Sequence, residues 1–278
     1  MSRFDNIILA VDGTGVCTKT VQNLLNLPSF IRPHITILHA VSPQISADQM
    51  HQYQDRGKEI LTQSQNALSF RPDITVTTEL VEGDPKMVVL EKAEAVHADL
   101  IVMGSRSRTR LNAILENSVS QYVFQLATCD MLLVKDGVPI RPIERIMVAL
   151  DGSASAQSAL DAGIQLVRDL KDRPLYLARV QSTAIPEGED AVINEAISKL
   201  RRLGIPYKTA VSAGDPGREL CWLAADRHID LLIMGSPDRR PSIARTLPDL
   251  DRLLGKSISD YVRVNIESPV LMVRPIQN

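Results

Sequence analysis

The 278 residues are enough for two domains of ordinary size, and a 44% share of hydrophobic residues can furnish two cores. A formal net charge of −2 excludes the basic balance of a general nucleic-acid binder, and three scattered cysteines, Cys17, Cys129 and Cys221, exclude a disulfide framework or a metal knuckle. No apolar run approaches the roughly 18 residues of a membrane span, and the opening residues hold no signal-peptide core, so a cytoplasmic protein without membrane or nucleic-acid partners is expected.

In chain order, short apolar runs predict strands near 5–11, 34–41, 73–81, 99–103 and 130–134, with helices near 15–28, 46–69, 85–97 and 117–127 between them. Runs such as Leu100-Ile101-Val102-Met103 are apolar on both faces, as a strand covered by helices on both sides requires. Pro85 suits the first turn of a helix, where a missing N–H costs little. Gly137, Pro139 and Pro142 then punctuate a short boundary. Strands follow near 144–150, 174–180, 205–211, 230–234 and 269–273. The alternation predicts an α/β fold of two five-stranded parallel sheets, each with helices on both faces, in domains 1–137 and 143–278. The boundary is too short for a swinging linker, so the two copies are expected to pack together.

The copies also repeat in sequence. Asp12-Gly13-Thr14 closes the first strand and returns as Asp151-Gly152-Ser153, 139 positions later. Gly83-Asp84-Pro85 returns as Gly214-Asp215-Pro216, and Asp99-Leu100-Ile101-Val102-Met103-Gly104-Ser105 as Asp230-Leu231-Leu232-Ile233-Met234-Gly235-Ser236, both 131 positions later. Ser118-Val119-Ser120 returns as Ser257-Ile258-Ser259, back at 139. Copy two therefore lost eight residues before its third strand and gained eight in the loop after its fourth.

Parallel strands joined by helices place a ligand crevice at their carboxyl ends. There the sequence puts Asp12, Gly13, Ala40 and Gly104 through Ser120, and in copy two Asp151, Arg179 and Gly235 through Ser259. Gly104 lets a backbone approach a ligand, and Ser105, Ser107 and the arginines 106, 108 and 110 are donors for phosphate oxygens. Ser118, with Gln121 three residues on, has capping-box spacing, so it is expected to open a helix whose N–H groups face an anion. The bland reading is a simple cap beside a solvated charge run. Asp12 and Asp151 either receive a ribose hydroxyl, support a magnesium ion, or cap the next helix. His97 and His228 read as helix-end residues that suit the dipole.

These residues resemble the universal stress protein family in its tandem form, over about 5–135 and 144–275. The resemblance rests on the strand-Asp-Gly-Thr/Ser opening, Gly-Asp-Pro, Asp-Leu-Ile-Val-Met-Gly-Ser and the Ser-Val-Ser helix start. It implies Rossmann-like domains of the adenine nucleotide alpha hydrolase-like kind. It also implies ATP or AMP, with magnesium as a companion, held by Asp12, Gly13, Ala40, Gly104, Ser105, Ser107, Asn117, Ser118, Val119 and Ser120, and in copy two by Asp151, Gly235 and Ser257. ATP-binding members have glycine where this chain has Ser107 and Asn117 in copy one, and Asp238 and Lys256 in copy two. Arg179 replaces the small residue that accompanies adenine. Copy one is thus the expected nucleotide site, and copy two is degenerate or adapted to another ligand or contact.

The expected function is a cytosolic, nucleotide-responsive stress regulator whose domains pair and whose chains self-associate. A non-nucleotide interaction protein of the same fold is the alternative. No paired nucleophile and base, nucleophile elbow or Walker lysine marks a dedicated enzyme, which leaves at most a slow ATPase. Gly13-Thr14-Gly15 suggests a dinucleotide fingerprint, but Thr18 stands at its third glycine and the acidic ribose ligand is missing after the second strand.

Overall fold

A computed structural model of the chain describes residues 3–44, 46–105, 119–170, 172–183, 188–236 and 257–275. It divides into two compact units whose main boundary lies between Ile140 and Arg141, with Leu27–Ser29 counted in the second. Unit 1 runs β1 (Asn6–Ala10), α1 (Val16–Leu25), β2 (His34–Val41), α2 (Ala47–Leu68), β3 (Thr75–Glu82), α3 (Pro85–Ala95), β4 (Leu100–Ser105), α4 (Val119–Leu126) and β5 (Asp130–Lys135). Its strands lie in the order β3-β2-β1-β4-β5, every neighbouring pair parallel. Unit 2 runs β6 (Ile146–Leu150), α5 (Ala154–Val167), β7 (Leu175–Gln181), α6 (Ala191–Arg202), β8 (Tyr207–Ala213), α7 (Pro216–Asp226), β9 (Leu231–Gly235), α8 (Ile258–Asn265) and β10 (Val270–Val273). Its order, β8-β7-β6-β9-β10, is also parallel throughout.

The central strands are apolar on both faces because helices cover both. Ile8, Leu9, Ile101 and Val102 in unit 1, and Val148, Leu231 and Ile233 in unit 2, are fully buried. Each such side chain contributes roughly 1.5–3 kcal/mol by leaving water. The outer strands β3 and β8 are more exposed than the central ones.

The repeated motifs set the helix ends. Asp84 caps α3 by accepting from the Lys86 N–H at 2.9 Å, and Asp215 caps α7 by accepting from the Arg218 N–H at 2.9 Å. Pro85 and Pro216 occupy the first turns that follow. His97 and His228 close α3 and α7 for a different reason from the dipole. Both adopt left-handed backbone, φ 49° and 51°. That conformation lets Ala98 N–H reach Ala93 O at 2.8 Å and Ile229 N–H reach Ala224 O at 2.8 Å, the Schellman arrangement.

The aspartate of the Asp-Leu-Ile/Leu block is also structural. Asp99 Oδ2 accepts from the N–H groups of Asp5 and Asn6 at 3.1 and 2.8 Å. Asp230 Oδ2 accepts from Glu144 and Arg145 at 3.1 and 2.9 Å. Each pins the amino end of the first strand of its unit, remote from the carboxyl-end crevice. Arg3 adds a bidentate pair with the buried Asp130, Nε to Oδ2 at 2.6 Å and Nη2 to Oδ1 at 3.2 Å.

Candidate functional site

In each unit the chain reverses its direction of travel across the sheet between β1 and β4, or β6 and β9. Parallel α/β sheets open a crevice at that point. The first strand ends in a tight turn built by its aspartate. Asp12 Oδ1 accepts from Thr14 N–H at 2.9 Å and Thr14 Oγ1 at 2.8 Å. Asp151 Oδ1 accepts from Ser153 N–H at 2.8 Å. Gly13 and Gly152 take φ 91° and 88° within these turns, a conformation glycine adopts without strain.

Neither aspartate caps the following helix. Gly15 occupies the N-cap of α1 without a side-chain bond, while Ser153 caps α5 by accepting from Ala156 N–H at 3.1 Å. The capping reading is therefore corrected: each aspartate lies too far upstream and spends its inner oxygen on the turn.

In unit 1, Asp12, Cys17 and Asp136 come together around Gly104. A β-carbon built on Gly104 would lie 3.4 Å from Asp136 Oδ1 and 3.8 Å from both Asp12 Oδ2 and Cys17 Sγ, so the glycine has ordinary room. Burial first, then the charges of Asp12 and Asp136, push the Cys17 thiol far above its usual range. Sequence reading does not single out Asp136. The signal was its place immediately after β5, the strand beside β4.

Ala40 lies half-buried near the carboxyl end of β2. Ser105 and Ser120 are buried, and Val119 begins α4. Ser107, Asn117 and Ser118 lie outside the described residues.

In unit 2 the crevice is a cavity of about 420 Å³. Asp151, Arg179, Gly235 and Ser257, all singled out from sequence, line it. Leu220, Met234 and Ile258 supply apolar wall. Gly235 is there for packing, since a β-carbon would stand 2.3 Å from the Ser155 carbonyl carbon. Ser257 caps α8 by accepting from Asp260 N–H at 3.2 Å.

Arg179 Nε donates to Asp190 Oδ2 at 2.9 Å, and the same oxygen accepts from Gln181 Nε2 at 2.6 Å. Burial opposes the Asp190 charge, but hydrogen bonds from Gln181, Arg179 and the Ile193 N–H outweigh it and hold the carboxyl below its ordinary value. Asp238 and Lys256 lie outside the described residues. Among the described residues, no group of three His, Cys, Asp or Glu side chains is placed to hold a metal, and no helix is long and apolar enough to cross a membrane.

The family model described as the universal stress protein family matches residues 3–135 and again 142–274. The chain belongs to the universal stress protein family. Among relatives, a universal stress protein of Methanocaldococcus jannaschii is 27% identical over 140 residues, covering 48% of this chain and 82% of its own length. The stress response protein NhaX of Bacillus subtilis is 23% identical over 167 residues, covering 49% of this chain and all of its own. A solved universal stress protein structure from Archaeoglobus fulgidus is 20% identical and superimposes with a TM-score of 0.73, covering 97% of this chain and 96% of that one. That likeness shows the Rossmann-like α/β fold.

Proposed function

We propose that this universal stress protein is a cytoplasmic, self-associating regulator that binds an adenine nucleotide, ATP or AMP, at the carboxyl ends of its strands, with 1–137 and 143–278 as its functional domains. One observation carries the reading. The unit 2 cavity is bounded by Asp151, Arg179, Gly235 and Ser257, the positions that sequence alone assigned to the crevice. The repeat puts Asp12, Ala40, Gly104 and the start of α4 at the matching places in unit 1. The family resemblance supports an adenine nucleotide as the ligand class. Asp12 and Asp136 fit a nucleotide that arrives with magnesium, because two carboxylates beside Gly104 oppose a bare phosphate.

Calorimetry with ATP, ADP, AMP and cyclic AMP, with and without magnesium, tests the reading. Gly104→Val drives a branched side chain toward Asp12 and Asp136 and is expected to weaken binding at least about tenfold. No heat at millimolar ligand overturns nucleotide binding. It favours the second reading, an interaction protein of the same fold, which Ser107 and Asn117 at two of the family's glycine positions support.

A further inference from the structure

We infer that His39 is a positioning residue of unit 1. Its imidazole takes the carbonyl that would otherwise close the β1–β2 ladder, and so frees the Ala40 N–H for an acceptor on the ligand. This role rests on the reading of unit 1 as a nucleotide site and deepens it by naming the side chain that presents the backbone donor.

The register of β1 on β2 ends at the pair Ala10 and Leu38. Val11 N–H still donates to Leu38 O at 3.0 Å. His34 N–H donates to Asp5 O at 2.7 Å, so every second N–H of β2 from there, Ala40 included, faces β1. The next rung of the ladder would run from Ala40 N–H to Val11 O. That carbonyl instead lies 2.7 Å from His39 Nδ1. A carbonyl only accepts, so Nδ1 carries the proton and donates it. Among the described residues, no backbone bond joins Ala40 N–H to Val11 O. Ala40 is nonetheless held firmly, because β2 stays in register with β3 through Ala40 with Val81 and Val41 with Glu82. Helix α2 makes room for the ring: a β-carbon on Gly57 would lie 2.9 Å from His39 Cδ2. Glycine is unfavourable inside a helix, and here it admits the imidazole.

Unit 2 shows the same joint closed. Gly83 N–H donates to Val41 O at 3.0 Å and Gly214 N–H to Gln181 O at 2.9 Å, which makes Val41 and Gln181 mates. Counting back, the mate of His39 is Arg179, and the Ala40 place belongs to Val180. Arg179 Nε is engaged by Asp190 at 2.9 Å, and its Nη1 reaches Leu150 O at only 3.4 Å. There the register runs one pair further, to Leu150 with Arg179, which engages the Val180 N–H in the ladder.

Amide exchange of the full, nucleotide-free chain, read residue by residue by NMR, tests the joint. Ala40 N–H is expected to exchange at least about tenfold faster than Val180 N–H. His39→Leu keeps the bulk and removes the donor, so Val11 O can take the Ala40 N–H, whose exchange is expected to slow about tenfold. His39→Asn places an amide nitrogen where Nδ1 stands and is expected to restore fast exchange. Calorimetry with AMP should follow the same order, with binding weakened at least about tenfold in His39→Leu and recovered in His39→Asn.

Ala40 as protected as Val180 in the wild type overturns the role of His39, and that measurement needs no variant to fold. Ala40 exchange indifferent to His39→Leu overturns it too. So does AMP affinity that is intact in His39→Leu, or lost equally in both variants, the mark of a merely structural side chain. Absence of ATP and AMP binding in the wild type overturns the nucleotide reading instead, and the exchange arm still decides whether His39 opens the ladder.

Discussion

Gly235 packs against the backbone at Ser155 so closely that a β-carbon would lie 2.3 Å from the Ser155 carbonyl carbon and 2.4 Å from its oxygen. Backbone cannot swing aside as a side chain does. Gly235→Ala must therefore separate β9 from the start of α5. A loss of about 2 kcal/mol or more in urea unfolding is expected, within the range of overpacked cores. Gly104, its repeat mate, meets only side-chain atoms at 3.4 Å or beyond, and Gly104→Ala is expected to cost less than about 1 kcal/mol. Equal losses in the two variants would contradict the packing difference between the units.

Asp190 joins Arg179, Gln181 and the start of α6 through one carboxylate. Its folded pKa lies below the ordinary value of 3.8. Its contribution is therefore complete above the unfolded value and is lost as pH falls through the folded one. The stability difference between wild type and Asp190→Asn should be full at pH 7 and shrink below about pH 4. A difference independent of pH would show that the charge contributes nothing.

Cys17 is buried and its thiol is raised by burial, then by Asp12 and Asp136, whereas Cys129 and Cys221 are partly exposed. The thiolate is the reactive form. Thiol labelling of the native protein at pH 8 should modify Cys17 last, at the rate of local or global opening. Asp12→Asn removes one of the two charges and should lower the Cys17 pKa. Rapid native labelling of Cys17 would contradict its placement.

His97 and His228 each hold a left-handed conformation at a helix end. A non-glycine residue there costs roughly 1–2 kcal/mol, against which the greater freedom of glycine in the unfolded chain counts about 0.4–1 kcal/mol. His97→Gly and His228→Gly are each expected to stabilise the fold by about 0.5 kcal/mol, read from the urea midpoint. Destabilisation by either variant would mean that the imidazole makes a contribution beyond its backbone.

The sequence by itself determined the duplication and the strand–helix alternation. These depend on local chemistry: apolar runs of strand length, prolines and aspartates at helix starts, and an aspartate-glycine turn after β1 and β6. The tertiary structure decided what the crevice residues do. Asp12 and Asp151 share a sequence context, yet one faces Asp136 across Gly104 and the other borders a cavity beside Arg179. Gly104 and Gly235 match in the repeat, yet only Gly235 is held against backbone. Those differences arise from residues brought together across strands. Asp136 reaches the site only because β5 lies beside β4, and Arg179 is neutralised only because Asp190, eleven residues on, folds back to cap α6 beside it. Through-space neighbours of this kind set charge and clearance, and a linear pattern does not record them.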